Sequence, residues 1–202
     1  DLSSSYVIGV TSEEKFKDIQ NELASKEKTL LYRESPYFLD ARSPKLGARI
    51  LSTLEKLHLT IKKLNLKIVD KSNYLKDAHI KGIPIQGIKN LQDNLFGLES
   101  NFEELNAIDF KKGCYVGQEN TARMKLKNKV RRKLIPIIAK NTLKILDEIK
   151  FKEQVVGKVL IDGTYPFALI KLFDPNFLEF YKEKLKVKDT DVQILVPSHF
   201  KF

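Results

Sequence analysis

One cysteine, one methionine and three histidines in 202 residues leave little material for metal or redox chemistry inside the chain. A single cysteine closes no internal disulfide, which agrees with a reducing compartment. His58, His79 and His199 fall in separate segments and, even with Cys114, form no zinc-site spacing, so packing or surface roles are assigned to them and no metal cage is encoded. There is no G-x-x-x-x-G-K-[ST] loop, no G-x-S-x-G elbow and no dinucleotide fingerprint, which leaves nucleotide hydrolysis and serine chemistry unsupported. No apolar run approaches the roughly 20 residues of a membrane span, and no charged start leads into an apolar stretch as in a signal peptide. The reading is a soluble, cytoplasmic protein without a membrane partner. A leading methionine is absent too, and the abundance of lysine, asparagine and isoleucine suggests an AT-rich genome.

What is present is concentrated between Asp109 and Lys133. Of the net charge of +10, nine basic residues and one acid, Glu119, place +8 between Lys111 and Lys133. Such a run is either an anion-binding face or a solvated edge that resists strand pairing. The candidate anions are a folate's glutamate tail, a tRNA backbone or an acidic protein. Gly113 and Gly117 bracket Cys114, Tyr115 and Val116, which reads as a tight exposed loop. The alternative is a glycine-flanked turn that buries the cysteine as a small apolar residue. Lys111, Lys112 and Arg123 favour the first reading, because positive neighbours stabilise thiolate over thiol and make it nucleophilic or metal-binding. Tyr115 is either a packing residue or a ring on which a flat heterocycle could stack.

At 42% hydrophobic residues the chain has enough apolar material for one large domain or two small ones. Tyr6–Val10 reads as a strand, followed by a helix capped at Thr11 or Ser12 with Phe16, Ile19 and Leu23 at helical spacing. Thr29–Tyr32 and Tyr37–Leu39 read as strands broken by Pro36. Asp40 and Arg42 read as a turn ion pair, and Pro44 as the opening of a helix through Leu51, Leu54 and Leu57. Lys62–Val69 fits either a strand or a helix end. Tyr74–Ile80 reads as a helix stopped by Gly82, and Ile83–Gly87 as a loop. Gln118–Met124 fits a turn or two of helix, whereas the alternation of basic residues from Arg123 to Lys133 by itself describes one extended strand. Strands are then expected at Leu134–Ile138, Val155–Ile161, Phe167–Leu172 and Val192–Val196, with a turn at Asp162-Gly163 and a helix from Asp174-Pro175 through Phe177, Phe180, Tyr181 and Leu185. Such short, closely spaced strands suggest a small barrel.

The string Lys112-Gly113-Cys114-Tyr115-Val116-Gly117-Gln118-Glu119 closely resembles the K-G-C-Y-x-G-Q-E motif of the YgfZ family, folate-binding proteins linked to iron-sulfur assembly. The resemblance extends to Asp40–Arg49, to Gly82-Ile83-Pro84 and to Phe96–Phe110, where Glu99, Asn101 and Leu105 fall at family-like spacing. It implies an α+β fold, in which a partial aminomethyltransferase-like folate-binding domain, residues 1-128 and N-terminally incomplete by about 100 residues, precedes a C-terminal antiparallel β-barrel, 129-202. In relatives a glycine usually stands at Asn128, which implies a turn there and a new strand near Lys129.

The resemblance further implies a bacterial accessory protein for iron-sulfur cluster assembly or repair, supporting clients that include tRNA-modifying enzymes. In that role Cys114 and Lys112 carry the chemistry, and Cys114 is the metal-binding residue. Gly113, Tyr115, Gly117, Gln118, Glu119 and Arg123 line a site for tetrahydrofolate or a related folate. One thiolate cannot hold a cluster alone, so a transient cluster is shared with a partner, an A-type carrier or a client enzyme. tRNA is a further candidate partner through the basic run. The chain reads as an assembly factor rather than an enzyme. The enzymatic alternative is a tetrahydrofolate-dependent aminomethyl or methyl transferase, and a third reading is an RNA-binding module. Against the transferase, Lys89 stands where the aminomethyltransferases carry a folate-contacting carboxylate; separately, Ala78 stands where relatives often have arginine, which removes one channel contact.

Overall fold

The computed structural model describes residues 3–127 and 130–200 and shows an α+β chain of two compact units, the first ending at Tyr74 and the second beginning at Leu75. The expected boundary at residues 128 and 129, with its turn and new strand, lies outside the described residues.

The first unit is a four-stranded antiparallel sheet of β1 (Val7–Thr11), β2 (Thr29–Tyr32), β3 (Ser35–Leu39) and β4 (Ala48–Ser52) in the order β1-β4-β3-β2. Two helices belong with it, α1 (Glu13–Glu22) and α2 (Leu54–Lys63). Both begin on a hydroxyl cap: Ser12 Oγ accepts from Lys15 N at 3.2 Å and Thr53 Oγ1 from Lys56 N at 3.3 Å. Each such cap is worth about 1 kcal/mol by satisfying a donor that the first turn leaves orphaned. Phe16 and Ile19 of α1 pack against Leu30, Tyr32, Tyr37, Ala48 and Ile50 on one face of the sheet, as the period-two alternation requires.

Three expectations are corrected here. Pro36 does not break a strand but lies within β3, paired with Leu31 on β2 alone. Proline is tolerated there because its missing N–H is not needed toward β4. Pro44 opens only a 3₁₀ turn, Pro44–Leu46, because Gly47 at φ 95° ends it and sends the chain into β4. Between Lys63 and the third helix, α3 (Lys71–Ile80), the chain forms neither a strand nor a helix.

In the second unit six antiparallel strands close a barrel: β5 (Arg132–Ala139), β6 (Glu148–Phe151), β7 (Gln154–Ile161), β8 (Phe167–Lys171), β9 (Leu185–Val187) and β10 (Thr190–Ile194). Their order around the barrel is β10-β5-β8-β7-β6-β9. Ile135, Ile137, Ile149, Val156, Ile170 and Val192 fill one core, while Leu134, Leu160, Ile161, Phe167 and Leu169 form another with Leu91 and Leu95 packed on it. Burial on both faces explains why β5 reads as a near-continuous apolar run instead of alternating. The helix expected to reach Leu185 is a single turn, Phe177–Phe180, and Leu185 instead belongs to β9. The basic run is not one extended strand either: α4 (Gln118–Leu126) takes its first half and β5 begins only at Arg132.

Candidate functional site

The site follows from how 96–106 is fastened to β5. Leu134 N donates to Glu99 O at 2.8 Å, and Asn101 Nδ2 donates to Leu134 O at 2.6 Å, so one barrel residue holds the loop through both of its backbone groups. The buried Glu99 carboxylate accepts from Phe96 N at 3.0 Å and from Arg132 Nε at 2.9 Å. Glu99, Asn101 and Leu105 are all buried, which gives these motif residues a structural task.

This loop also carries the acids that meet the basic run. Arg132 pairs with Glu99, Lys133 with Glu104 and Lys125 with Glu103, while Arg123 pairs with Glu119 one helical turn away at 2.8 Å. Burial pulls Lys133 down to about 8, an effect that the nearby Glu103 charge opposes. Four of the nine cations are thereby matched, so the local +8 is not a bare stripe. Among the described residues, Lys111, Lys112, Lys127 and Arg131 have no carboxylate within ion-pair distance.

The Cys114 loop runs on the surface. Lys111 N donates to Asp109 Oδ1 at 2.8 Å, and Tyr115 N donates to Gln118 Oε1 at 3.2 Å. Gly117, at φ 81°, caps α4 in the left-handed region. A Cβ added at Gly113 or Gly117 would meet nothing within 4 Å, and Val116 is fully exposed. Cys114 is itself exposed, which removes the alternative of a packed, buried cysteine. Lys112 Nζ lies 5.2 Å from the centre of the Tyr115 ring, and Arg123 is engaged with Glu119. The structure thus joins Lys112 to Tyr115, Tyr115 to Gln118 and Glu119 to Arg123. No described hydrogen bond or ion pair ties either cation to Cys114. No group of three His, Cys, Asp or Glu able to hold a metal occurs among the described residues.

A groove of about 890 Å³ that sequence reasoning missed is lined by Met124 of α4, Phe96, Phe173, Arg131, Lys171 and Asp174, together with the paired Glu99 and Arg132. Its half-exposed phenylalanines and unmatched Arg131 suit a flat, anionic molecule. The signal was scattered over 79 residues of sequence, and only the exposed aromatics hinted at it.

Fold and site together define an α+β protein with a closed antiparallel barrel and one exposed thiol in a glycine loop. No family model matches the chain. It is similar to proteins named as the mitochondrial iron-sulfur cluster assembly factor IBA57 or its homologues. It is 31% identical to that of Pyricularia oryzae over 63% of this chain and 32% of the relative. The Dictyostelium discoideum relative is 32% identical over 69% and 33%, and the Homo sapiens one 32% identical over 48% and 27%. The chain spans about a third of the length of the curated relatives it matches. These relatives are eukaryotic proteins named as mitochondrial, which overturns the expectation of a bacterial, cytoplasmic protein. A single cysteine does not distinguish the two compartments.

Proposed function

We propose that this chain is the thiol-bearing part of a YgfZ-like, mitochondrial accessory factor for iron-sulfur cluster assembly, in which Cys114 supplies one ligand to a cluster that a partner completes. The setting of Cys114 carries the reading: the sole cysteine is exposed in a loop with open space at both flanking glycines, and among the described residues no ligand set stands beside it to close a metal site. Clusters usually take four protein ligands, so the others come from an A-type carrier or a client enzyme, including enzymes that modify tRNA. The similarity to proteins named as IBA57 supports the same role.

Tetrahydrofolate is the small molecule this reading adds, within an aminomethyltransferase-like fold. The chemistry present fits it. The half-buried Tyr115 ring, which the Lys112 ammonium approaches, suits stacking on a pterin, and Gly113 and Gly117 let the ligand approach the backbone. Gln118 accepts from Tyr115 N, Glu119 and Arg123 pair on the same helix, and Arg131 and Lys171 of the groove suit the glutamate tail. Lys89 is exposed and supplies no carboxylate such as the aminomethyltransferases carry at that position. That supports an assembly factor over a transferase.

The deciding experiment mixes the full-length protein anaerobically with an A-type carrier and follows the visible spectrum. A shared chromophore that Cys114→Ser abolishes is the expected result. Folate-dependent aminomethyl or methyl turnover with no cluster formed would sink the proposal and establish the transferase.

A further inference from the structure

The first unit holds a cavity of about 560 Å³, within the roughly 300–1,000 Å³ of small-molecule sites. Ile50, Leu57, Ile61, Leu64 and Leu66 make its walls apolar, and neither the Cys114 loop nor the groove contributes to it. Two observations give it a polarity. The first is Thr60, on α2, 3% exposed and one of the residues that line the cavity; its Oγ1 is buried and has no hydrogen-bond partner among the described residues. An unsatisfied buried hydroxyl costs about 1–3 kcal/mol, so an oxygen or nitrogen placed beside it is favoured.

The second is the mouth. Arg42 Nη2 and Arg49 Nη2 both donate to Tyr74 Oη, at 3.2 and 3.1 Å. An oxygen that accepts two hydrogen bonds must send its own proton elsewhere, and Tyr74 and Arg49 both line the cavity. Against these two guanidiniums stands one carboxylate, Asp40, so the cluster carries a net positive charge. Asp70, the sole acid on the lining, accepts from Ser72 N at 2.8 Å. Lys71 at the rim adds to the positive side.

We propose that this cavity binds a small amphipathic carboxylate of medium-chain fatty-acid type. Its head is held by Tyr74 and Arg49 at the half-exposed mouth, its apolar body lies along α2, and an oxygen function at its far end meets Thr60. The inference stands apart from the cluster role and does not depend on Cys114.

The test titrates the purified chain with dodecanoate, dodecan-1-ol and 12-hydroxydodecanoate below their aggregation limits, by calorimetry and by methyl-resolved NMR. Dodecanoate is expected to bind one to one and at least about tenfold tighter than the alcohol, the worth of a charge-assisted hydrogen bond. The hydroxy acid is expected to gain about 3- to 10-fold more, a gain lost in Thr60→Val. Ile61→Trp fills the cavity and should remove binding without lowering the melting temperature. If it disturbs folding, Leu64→Phe takes its place. Absence of binding, equal affinity for acid and alcohol, no hydroxyl gain, or binding that survives the cavity-filling variant each overturn the assignment.

Discussion

The prediction that probes this architecture most directly is Asp40→Asn. Asp40 is 4% exposed and takes Arg42 Nε at 3.0 Å, Arg42 Nη2 at 2.8 Å and Arg49 Nε at 3.0 Å. Burial pushes its carboxyl up, but the Arg42 side-chain and backbone hydrogen bonds and the two guanidinium charges outweigh that and hold it below the usual carboxylate range. The amide keeps an acceptor for Arg42 N and loses the charge, leaving two guanidiniums facing each other. Breaking a buried pair costs about 3–5 kcal/mol. Here the guanidiniums are 28–29% exposed and can turn partly to water, so the expected loss is about 2–3 kcal/mol. A depressed carboxylate contributes stability that is present above its unfolded pKa and lost as pH falls through the folded value. The gap between wild type and variant should therefore close below about pH 4. The chain has no tryptophan, so amide hydrogen exchange of β1 and β4 in increasing urea is the assay, and it reports the first unit alone. A loss under about 0.5 kcal/mol, or a gap unchanged at pH 2.5, would refute the reasoning.

Two further outcomes follow from the same geometry. Gly47→Ala should cost about 3 kcal/mol or more, since φ is 95° and the new Cβ would fall 2.0 Å from the Thr11 carbonyl oxygen, while Gly113→Ala should stay within about 0.5 kcal/mol; thermal unfolding of both variants checks this. If tRNA binds the basic run, Lys111, Lys112, Lys127 and Arg131 are its described cations left to meet phosphate, and Lys129 is counted with them from the sequence alone. The slope of log K against log salt should then be about −3 to −4.5, steepening by nearly one in Glu103→Gln as Lys125 is released, whereas a slope of about −7 would show that the ion pairs do not persist.

The first helix and the strands β1, β2 and β3 of the first unit were legible because local signals agreed, a hydroxyl cap, acids in the first turn, and apolar residues at spacing 3.6 or 2, whereas β4 reads in sequence as part of a helix opened at Pro44. Failures came where distant chain decided. At Gly47 the backbone of Thr11 dictates a conformation that a run of leucines cannot reveal. β6 and β9 were missed because their few apolar residues, unlike those of β2, are interrupted by Lys150 and Lys186, and closure of the barrel is what makes them strands. At the site, exposure of Cys114 was legible from its glycines. The charge of the run was not, because Glu99, Glu103 and Glu104 lie some 20–30 residues upstream and reach it only through the Leu134 anchor.

The two sheets differ in how they end. A closed barrel has no terminal strand, whereas the order β1-β4-β3-β2 leaves two, and both carry uncovered apolar side chains: Ile8 and Val10 on β1, Leu31 on β2. Unpaired backbone beside exposed β-branched or aliphatic residues is the template from which strands of separate molecules zip together. These edges are where intermolecular pairing of this chain would begin, and the exposed Lys26 and Lys28 stand just before β2, where charge disfavours it.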